Sequence, residues 1–332
     1  MNKLVTPMRA ADLKGDLSLI QPHQFPLILS PKLDGYRATT QPNPDVAADI
    51  VTWSKNNKPI PNRFVQEQLN HWSMTMLDGE LIVGDPRDPG SLQRTSSGVT
   101  TRTGEPDFTY WVFDDLARPD LPFNIRLDRL AERVKRQLKS TRVQLVPQVV
   151  AKNCGDVVKW EAKWVAEGYE GVMVRAASGH YKQGGAEPRS TLNEMLVAKL
   201  KRVEHHEARV LSVFEQMENT NEATRDAIGR TKRSTAKAGK VGKGVLGGCR
   251  VQGISGRWEG VIYDVGTGFN DKQRAELWEQ HLLMETRRRE GRKSVFNPVV
   301  GRIMKIQTGV TPATFKAPQF PRFVDWKWEG DL

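Results

Sequence analysis

The sequence predicts an α+β protein in two parts, a mixed helix-and-strand domain over residues 1–203 and a small β-barrel carrying one long helix over residues 204–332. Three observations carry this expectation. A chain of 332 residues suits two domains better than one. Up to Val203, short apolar runs bounded by Pro, Gly or charge are interleaved with stretches of helical spacing. Beyond Glu204 the pattern turns to short alternating strands.

Taken in order, Leu27-Ile28-Leu29, Tyr110 to Phe113 and Gly171 to Val174 read as buried strands. Leu127, Leu130, Val134 and Leu138 recur at helical spacing, as do Val157, Trp160, Trp164 and Val165, which follow a candidate cap at Asp156 and precede Gly168. In the second part Val261, Tyr263 and Val265 share one strand face, and a long helix starts near Asp271. Between Asn219 and Gly244 almost nothing asks to be buried, so a loop is expected there. The adjacent His205 and His206, at the joint and without partners at ligand spacing, read as solvated linker residues. The tryptophans read as core and surface filling.

Charge narrows the partner. Lys and Arg number 50 against 39 Asp and Glu, which favours a polyanion, nucleic acid first and an acidic membrane second. Both parts share the excess, with 28 basic and 23 acidic residues over 1–203 and 22 and 16 over 204–332. A ligand gripped by two lobes fits this better than one held by a basic tail. No run approaches the ~18 apolar residues of a spanning helix, and the N-terminus lacks the order of a secretory signal, so a soluble cytoplasmic protein is expected. Only Cys154 and Cys249 occur, far apart, which indicates neither a disulfide framework nor a zinc site.

The chemistry concentrates in Lys32-Leu33-Asp34-Gly35-Tyr36-Arg37, just after the first apolar strand. A nucleophilic lysine needs a way to lose its charge, a companion carboxylate to orient a ribose or metal, and a Gly where backbone turns close to a phosphate. All three are present, although by itself the hexapeptide reads equally as a surface turn. Further along stand Leu77-Asp78-Gly79-Glu80-Leu81, Tyr110-Trp111-Val112-Phe113-Asp114, Glu170-Gly171-Val172-Met173-Val174-Arg175 and Val197-Ala198-Lys199-Leu200-Lys201. In the last of these, alternation sends both lysines to one strand face.

In this order and spacing the five segments resemble the covalent nucleotidyltransferase superfamily of ATP-dependent DNA ligases, RNA ligases and mRNA capping enzymes, and in particular DNA ligases of the compact bacteriophage type. The resemblance implies a nucleotidyltransferase (ATP-grasp-like adenylation) domain followed by an OB-fold domain. It makes Lys32 the nucleophile that becomes adenylated, with Asp34 beside it and Arg37 holding the nucleotide ribose and later the nick. Glu80 would meet the ribose or a magnesium-bound water, Phe113 would stack on adenine, and Glu170 would bind the catalytic Mg²⁺. Lys199 and Lys201 would contact the α-phosphate. An oxygen-only set suits Mg²⁺, which keeps several waters and bridges phosphates.

The C-terminal Phe320-Pro321-Arg322-Phe323, followed by Lys327, is similar to the terminal element of the family, whose basic residues orient the departing pyrophosphate. Gln319 and Lys327 stand where Arg is usual, and Lys lacks the planar fork of Arg. Trp53-Ser54-Lys55 similarly carries Lys where the family usually has Arg, which makes Lys55 a DNA-contact candidate. Thr95-Ser96-Ser97-Gly98, Tyr181-Lys182 and Arg189-Ser190-Thr191 also look phage-like, without an assigned role. The stretch from Arg225 to Lys243, with seven basic residues against Asp226, reads as an arm for duplex phosphates, through Arg230, Lys232, Arg233, Lys237 and Lys240. The alternative for this stretch is a solvated surface loop.

The implied activity is ATP- and Mg²⁺-dependent sealing of nicks in duplex DNA by a monomer. An RNA ligase, a GTP-dependent capping enzyme and an inactive nucleic-acid-binding module are the rivals. About thirty residues precede Lys32, too few for a separate helical DNA-binding domain, so the two core domains are expected to hold DNA themselves.

Overall fold

A computed structural model describes residues 4–46, 49–88, 90–137, 142–225, 231–290, 299–309 and 315–327. Three of the residues singled out above, Leu138, Asp226 and Arg230, lie outside these. The chain forms two compact units, one through Arg202 and one from Val203.

The first unit contains strands β1 (Ala11–Asp12), β2 (Leu27–Pro31), β3 (Tyr36–Pro42), β4 (Ile50–Ser54), β5 (Leu77–Val83), β6 (Phe108–Asp115), β7 (Val143–Leu145), β8 (Val149–Ala151), β9 (Val172–Ala176) and β10 (Ala198–Leu200). Its helices are α1 (Arg63–Leu69), α2 (Ser91–Thr100), α3 (Phe123–Gln137) and α4 (Cys154–Ala166). The strands make two five-stranded sheets, in the orders β1-β10-β9-β2-β8 and β4-β3-β5-β6-β7. Each sheet has its own apolar core. Leu27, Leu29, Val172 and Val174 of the first pack against Val157 and Trp164 of α4. Leu77, Leu81, Tyr110 and Val112 of the second pack with Val65, Val99 and Leu130 from the other three helices.

The cap of α4 differs from expectation. Asn153 caps the helix through its side chain, which accepts from the Asp156 amide at 3.1 Å, and Asp156 sits inside the first turn. Both are cap-forming residue types, and an acid in the first turn also suits the helix dipole, so spacing alone points three residues late.

The second unit contains β11 (Val203–Asn219), β12 (Ala223–Arg225), β13 (Thr231–Arg233), β14 (Lys240–Gly253), β15 (Ile262–Val265), α5 (Asp271–Arg289), β16 (Ile303–Gly309) and β17 (Arg322–Lys327). Five strands form one sheet in the order β15-β14-β11-β16-β17. Its two edges meet at a parallel bridge between Thr267 and Arg322, where the Phe323 amide donates to the Thr267 carbonyl at 2.9 Å. A five-stranded, partly open barrel of this kind is the OB architecture. Val210, Val251, Val265, Ile306 and Phe323 fill it.

Two expectations for this unit are corrected. Over its described residues the stretch 219–244 is not an irregular loop. β11 runs out to Asn219 opposite Lys240 of β14, and β12 pairs with β13 at the tip. Asn219 and Asn221 lace the ribbon by donating to the Ser234 carbonyl at 2.8 and 3.0 Å. A ribbon with no buried face leaves no apolar alternation in the sequence, and this is why its strands are silent there. Nor are the two histidines a linker. Both lie in β11, where alternation turns His205 outward and buries His206 at 4 % exposure, 2.5 Å from the Tyr263 hydroxyl.

Candidate active site

The chain places Lys32 where it leaves one sheet for the other. Lys32 follows β2, and four residues later Tyr36 begins β3 of the second sheet. Gly35 is required in this crossing, because a Cβ there would lie 2.5 Å from the Leu81 carbonyl oxygen. Across from it, the Lys32 amide donates to the Gly171 carbonyl at 2.8 Å and the Glu170 amide to the Lys32 carbonyl at 3.4 Å. The nucleophile candidate and the carboxylate candidate are thus fixed to each other by backbone.

Their side chains meet as well. The Lys32 ammonium donates to Glu170 Oε2, and Lys201 donates to Glu170 Oε1 at 2.6 Å. Burial holds Lys32 below the usual lysine range, assisted by the Lys201 and Lys199 ammoniums and opposed by Glu80 and Asp34. Burial also depresses Lys201. A lysine that gives up its proton more readily than usual is what a nitrogen nucleophile needs near neutral pH.

A cleft of about 340 Å³ opens beside this pair, lined among others by Lys32, Arg37, Glu80, Phe113, Met173 and Lys199. Lys55 and Ser30 also line it. Glu80 reaches it from β5, directly opposite Arg37 of β3. Burial pushes its carboxyl up to about 7, with Arg37 and Lys32 pulling the other way. Phe113 offers an aromatic wall, backed by the Arg175 guanidinium at 5.0 Å from its centroid and by Arg37 at 5.5 Å. Lys199 is tied to Asp12 at 3.0 Å. Asp34 is half-buried in the crossing between the sheets.

Within one unit, then, lie a depressed lysine, two carboxylates, an aromatic wall and several cations. Residues 7–189, more than half the chain, match the family described as ATP dependent DNA ligase domain. The chain belongs to this family. A DNA ligase of African swine fever virus (strain Badajoz 1971 Vero-adapted) is 32% identical over 110 residues, which are 32% of this chain and 25% of the viral protein. The chain therefore spans about a quarter of the length of that curated relative. The crystal structure of the Chlorella virus DNA ligase-adenylate aligns with 98% of this chain and 99% of its own, at 23% identity and a TM-score of 0.50. A structure of the Lig E DNA ligases aligns over 98% and 100% at 21% identity and a TM-score of 0.59. These likenesses establish the fold, a nucleotidyltransferase domain followed by an OB domain.

Other predicted site residues of this DNA ligase family member lie in the second unit. Arg322 is exposed at the start of β17 and Lys327 is half-buried at its end. Lys232 and Arg233 belong to β13, and Lys237 and Lys240 are exposed on the arm.

Sequence reasoning missed the buried frame behind the cleft. Asp78, with no exposed surface, accepts from Arg37 Nε at 3.0 Å and Nη2 at 2.7 Å. Asp114 is equally buried and accepts from Arg126 Nε at 2.8 Å and Arg175 Nη1 at 2.6 Å. Asp78 and Asp114 stand inside the segments quoted for other residues. Nothing in the order of the chain pairs them with Arg37, Arg126 or Arg175.

Proposed function

We propose that this protein seals nicks in duplex DNA through a covalent adenylate on Lys32. The observation that carries this reading is the Lys32 amine itself, depressed by burial and held against Glu170 at the mouth of a cleft that also presents Phe113, Arg37 and two lysines.

In the first step the neutral Lys32 amine attacks the α-phosphorus of ATP. A phosphorus–nitrogen bond forms, the α–β phosphoanhydride breaks and pyrophosphate leaves. Phe113 stacks on the adenine, Arg37 meets the ribose, and Lys199 and Lys201 offset charge developing on the α-phosphate. Arg322, with Lys327 at the other end of the same strand, orients the pyrophosphate. In the second step AMP passes from Lys32 to the 5′-phosphate at a nick. In the third the 3′-hydroxyl attacks that activated phosphate, the phosphodiester forms and AMP departs.

The donor set fits Mg²⁺. Among the described residues there is no cluster of three or more His, Cys, Asp or Glu able to cage a metal, and Mg²⁺ is typically held by one or two carboxylates plus phosphates and water. Glu170 and Glu80 would hold it. Bound there, it would neutralise phosphate charge. Lys55 and the arm cations Arg230, Lys232, Arg233, Lys237 and Lys240 would meet duplex phosphates.

One experiment decides nucleotide and substrate together. The protein is incubated with α-labelled ATP or GTP and then with nicked DNA or nicked RNA. Label transferred to protein from ATP alone, and sealing of nicked DNA, is the expected result. Labelling from GTP, or no labelling, overturns the reading.

A further inference from the structure

Tyr181 is 173 residues from Met8, 144 from Arg37 and 103 from Asp78, and its hydroxyl touches all three. It accepts from the Met8 amide at 2.9 Å and from Arg37 Nη2 at 3.3 Å, and donates to Asp78 Oδ2 at 2.7 Å. A phenol has one hydrogen and two lone pairs, so this hydroxyl is saturated. The residue is 2 % exposed. Burial and the neighbouring Asp78 push its pKa well up, so it stays the donor this pattern requires.

Arg37 shows what the arrangement accomplishes. Of the five N–H groups of a guanidinium, Nε and Nη2 go to Asp78, Nη1 to the Met8 carbonyl at 2.7 Å and the second Nη2 hydrogen to Tyr181. One Nη1 hydrogen is left for a ligand in the cleft that Arg37 lines. Asp78 alone would fix the plane of the guanidinium through its two-point contact. The Tyr181 hydroxyl closes the far side. It holds Asp78 in place while occupying the Nη2 hydrogen that would otherwise compete for the ligand. We propose that Tyr181 is a positioning residue that aims the free Arg37 hydrogen at the nucleotide. This rests on the adenylation reading above.

The test is a double-mutant cycle on self-adenylation with labelled ATP, using wild type, Tyr181→Phe, Arg37→Ala and the double variant, with thermal unfolding measured on each. Tyr181→Phe should slow adenylation about tenfold, the size expected for losing a hydrogen bond to a charged group. In the Arg37→Ala background the same change should cost less than about twofold. Equal losses in both backgrounds, or no loss in the first, overturn the proposal. Should Tyr181→Phe fail to fold, 3-fluorotyrosine at position 181 keeps the ring and weakens the hydroxyl as an acceptor, and must give the same background-dependent pattern. A wild type that takes no label from ATP overturns the adenylation reading itself, and is distinguished from failure here because the comparison variants are then silent too.

Discussion

Lys32 and Glu170, 138 residues apart, are joined twice, by an ion pair between their side chains and by backbone hydrogen bonds that run from Lys32 to Gly171 and back from Glu170 to Lys32. The backbone bonds keep the pair in register even when the side chains are exchanged. Lys32→Ala should therefore stay folded and lose the AMP adduct entirely by mass spectrometry. Glu170→Gln should keep the adduct but form it roughly 100-fold more slowly, the scale of a misplaced reacting group. A normal adduct yield on Lys32→Ala would remove Lys32 from the chemistry.

Arg322 is needed, on the reading above, only while pyrophosphate is present. Arg322→Ala should lose self-adenylation by two orders of magnitude or more, yet seal a nick that has been chemically pre-adenylated at a rate within about threefold of wild type. Parallel loss of both activities in a folded variant would end this division of labour.

The legibility of the molecule follows from the range of its signals. Lys32, Glu80, Phe113, Glu170 and Lys201 could be singled out because each sits in a short segment that resembles an element of the nucleotidyltransferase superfamily, and the order of those segments along the chain ties them together, whereas each segment by itself reads as a turn or an ordinary strand. The frame that holds them could not. Arg37 finds Asp78 through strand register between β3 and β5, and Arg175 finds Asp114 across 61 residues, relations that exist only once the sheets are formed. The ribbon over 219–244 failed for the opposite reason. It buries no apolar face, so hydrophobic periodicity had nothing to report, and backbone pairing with a few asparagine side-chain bonds shapes it.

Asp114 carries a stability prediction. It faces two guanidiniums, those of Arg126 and Arg175, with no part of its own surface exposed. Removing one partner from a buried charge set is costly because the others stay buried uncompensated. Asp114→Ala should destabilise the protein by about 3–5 kcal/mol in urea unfolding, whereas Asp120→Ala, whose partner Arg118 is exposed, should change stability by less than about 1 kcal/mol. Equal effects would mean that the cluster does not hold the fold.

His206 sets a pH dependence. Burial lowers its pKa to about 4 from the ordinary 6.5, against an opposing pull from Glu207. The unfolded chain then binds the extra proton between pH of about 6.5 and 4, so stability is full above that window and falls as pH drops through it. The loss attributable to this one group is at most about 3 kcal/mol. His206→Gln should flatten the acid limb of a stability–pH curve by that order. An unchanged limb would show that His206 takes up its proton equally in the folded and unfolded chains and that other groups drive acid unfolding.

The arm tests how DNA is held. Residues 225–243 carry a surplus of six positive charges, seven basic residues less Asp226, and the whole of residues 204–332 has the same surplus, 22 less 16. The described part of this stretch is a ribbon with Lys237, Lys240 and Lys243 exposed. Each basic residue that neutralises a phosphate releases counterions, and contributes roughly 0.9 to the slope of log affinity against log salt on B-form DNA. If most of the arm cations engage the duplex, replacing residues 220–239 by a short Gly-Ser turn should lower affinity for nicked DNA and reduce that slope by about 3 to 5. Self-adenylation without DNA should continue at the wild-type rate, because Lys32, Glu170 and the cleft all belong to the first unit. Equilibrium binding at four or five salt concentrations gives the slope. An arm-shortened protein with unchanged affinity and slope would mean that DNA is held by other cations, and the charge of the ribbon would then be only that of a solvated surface.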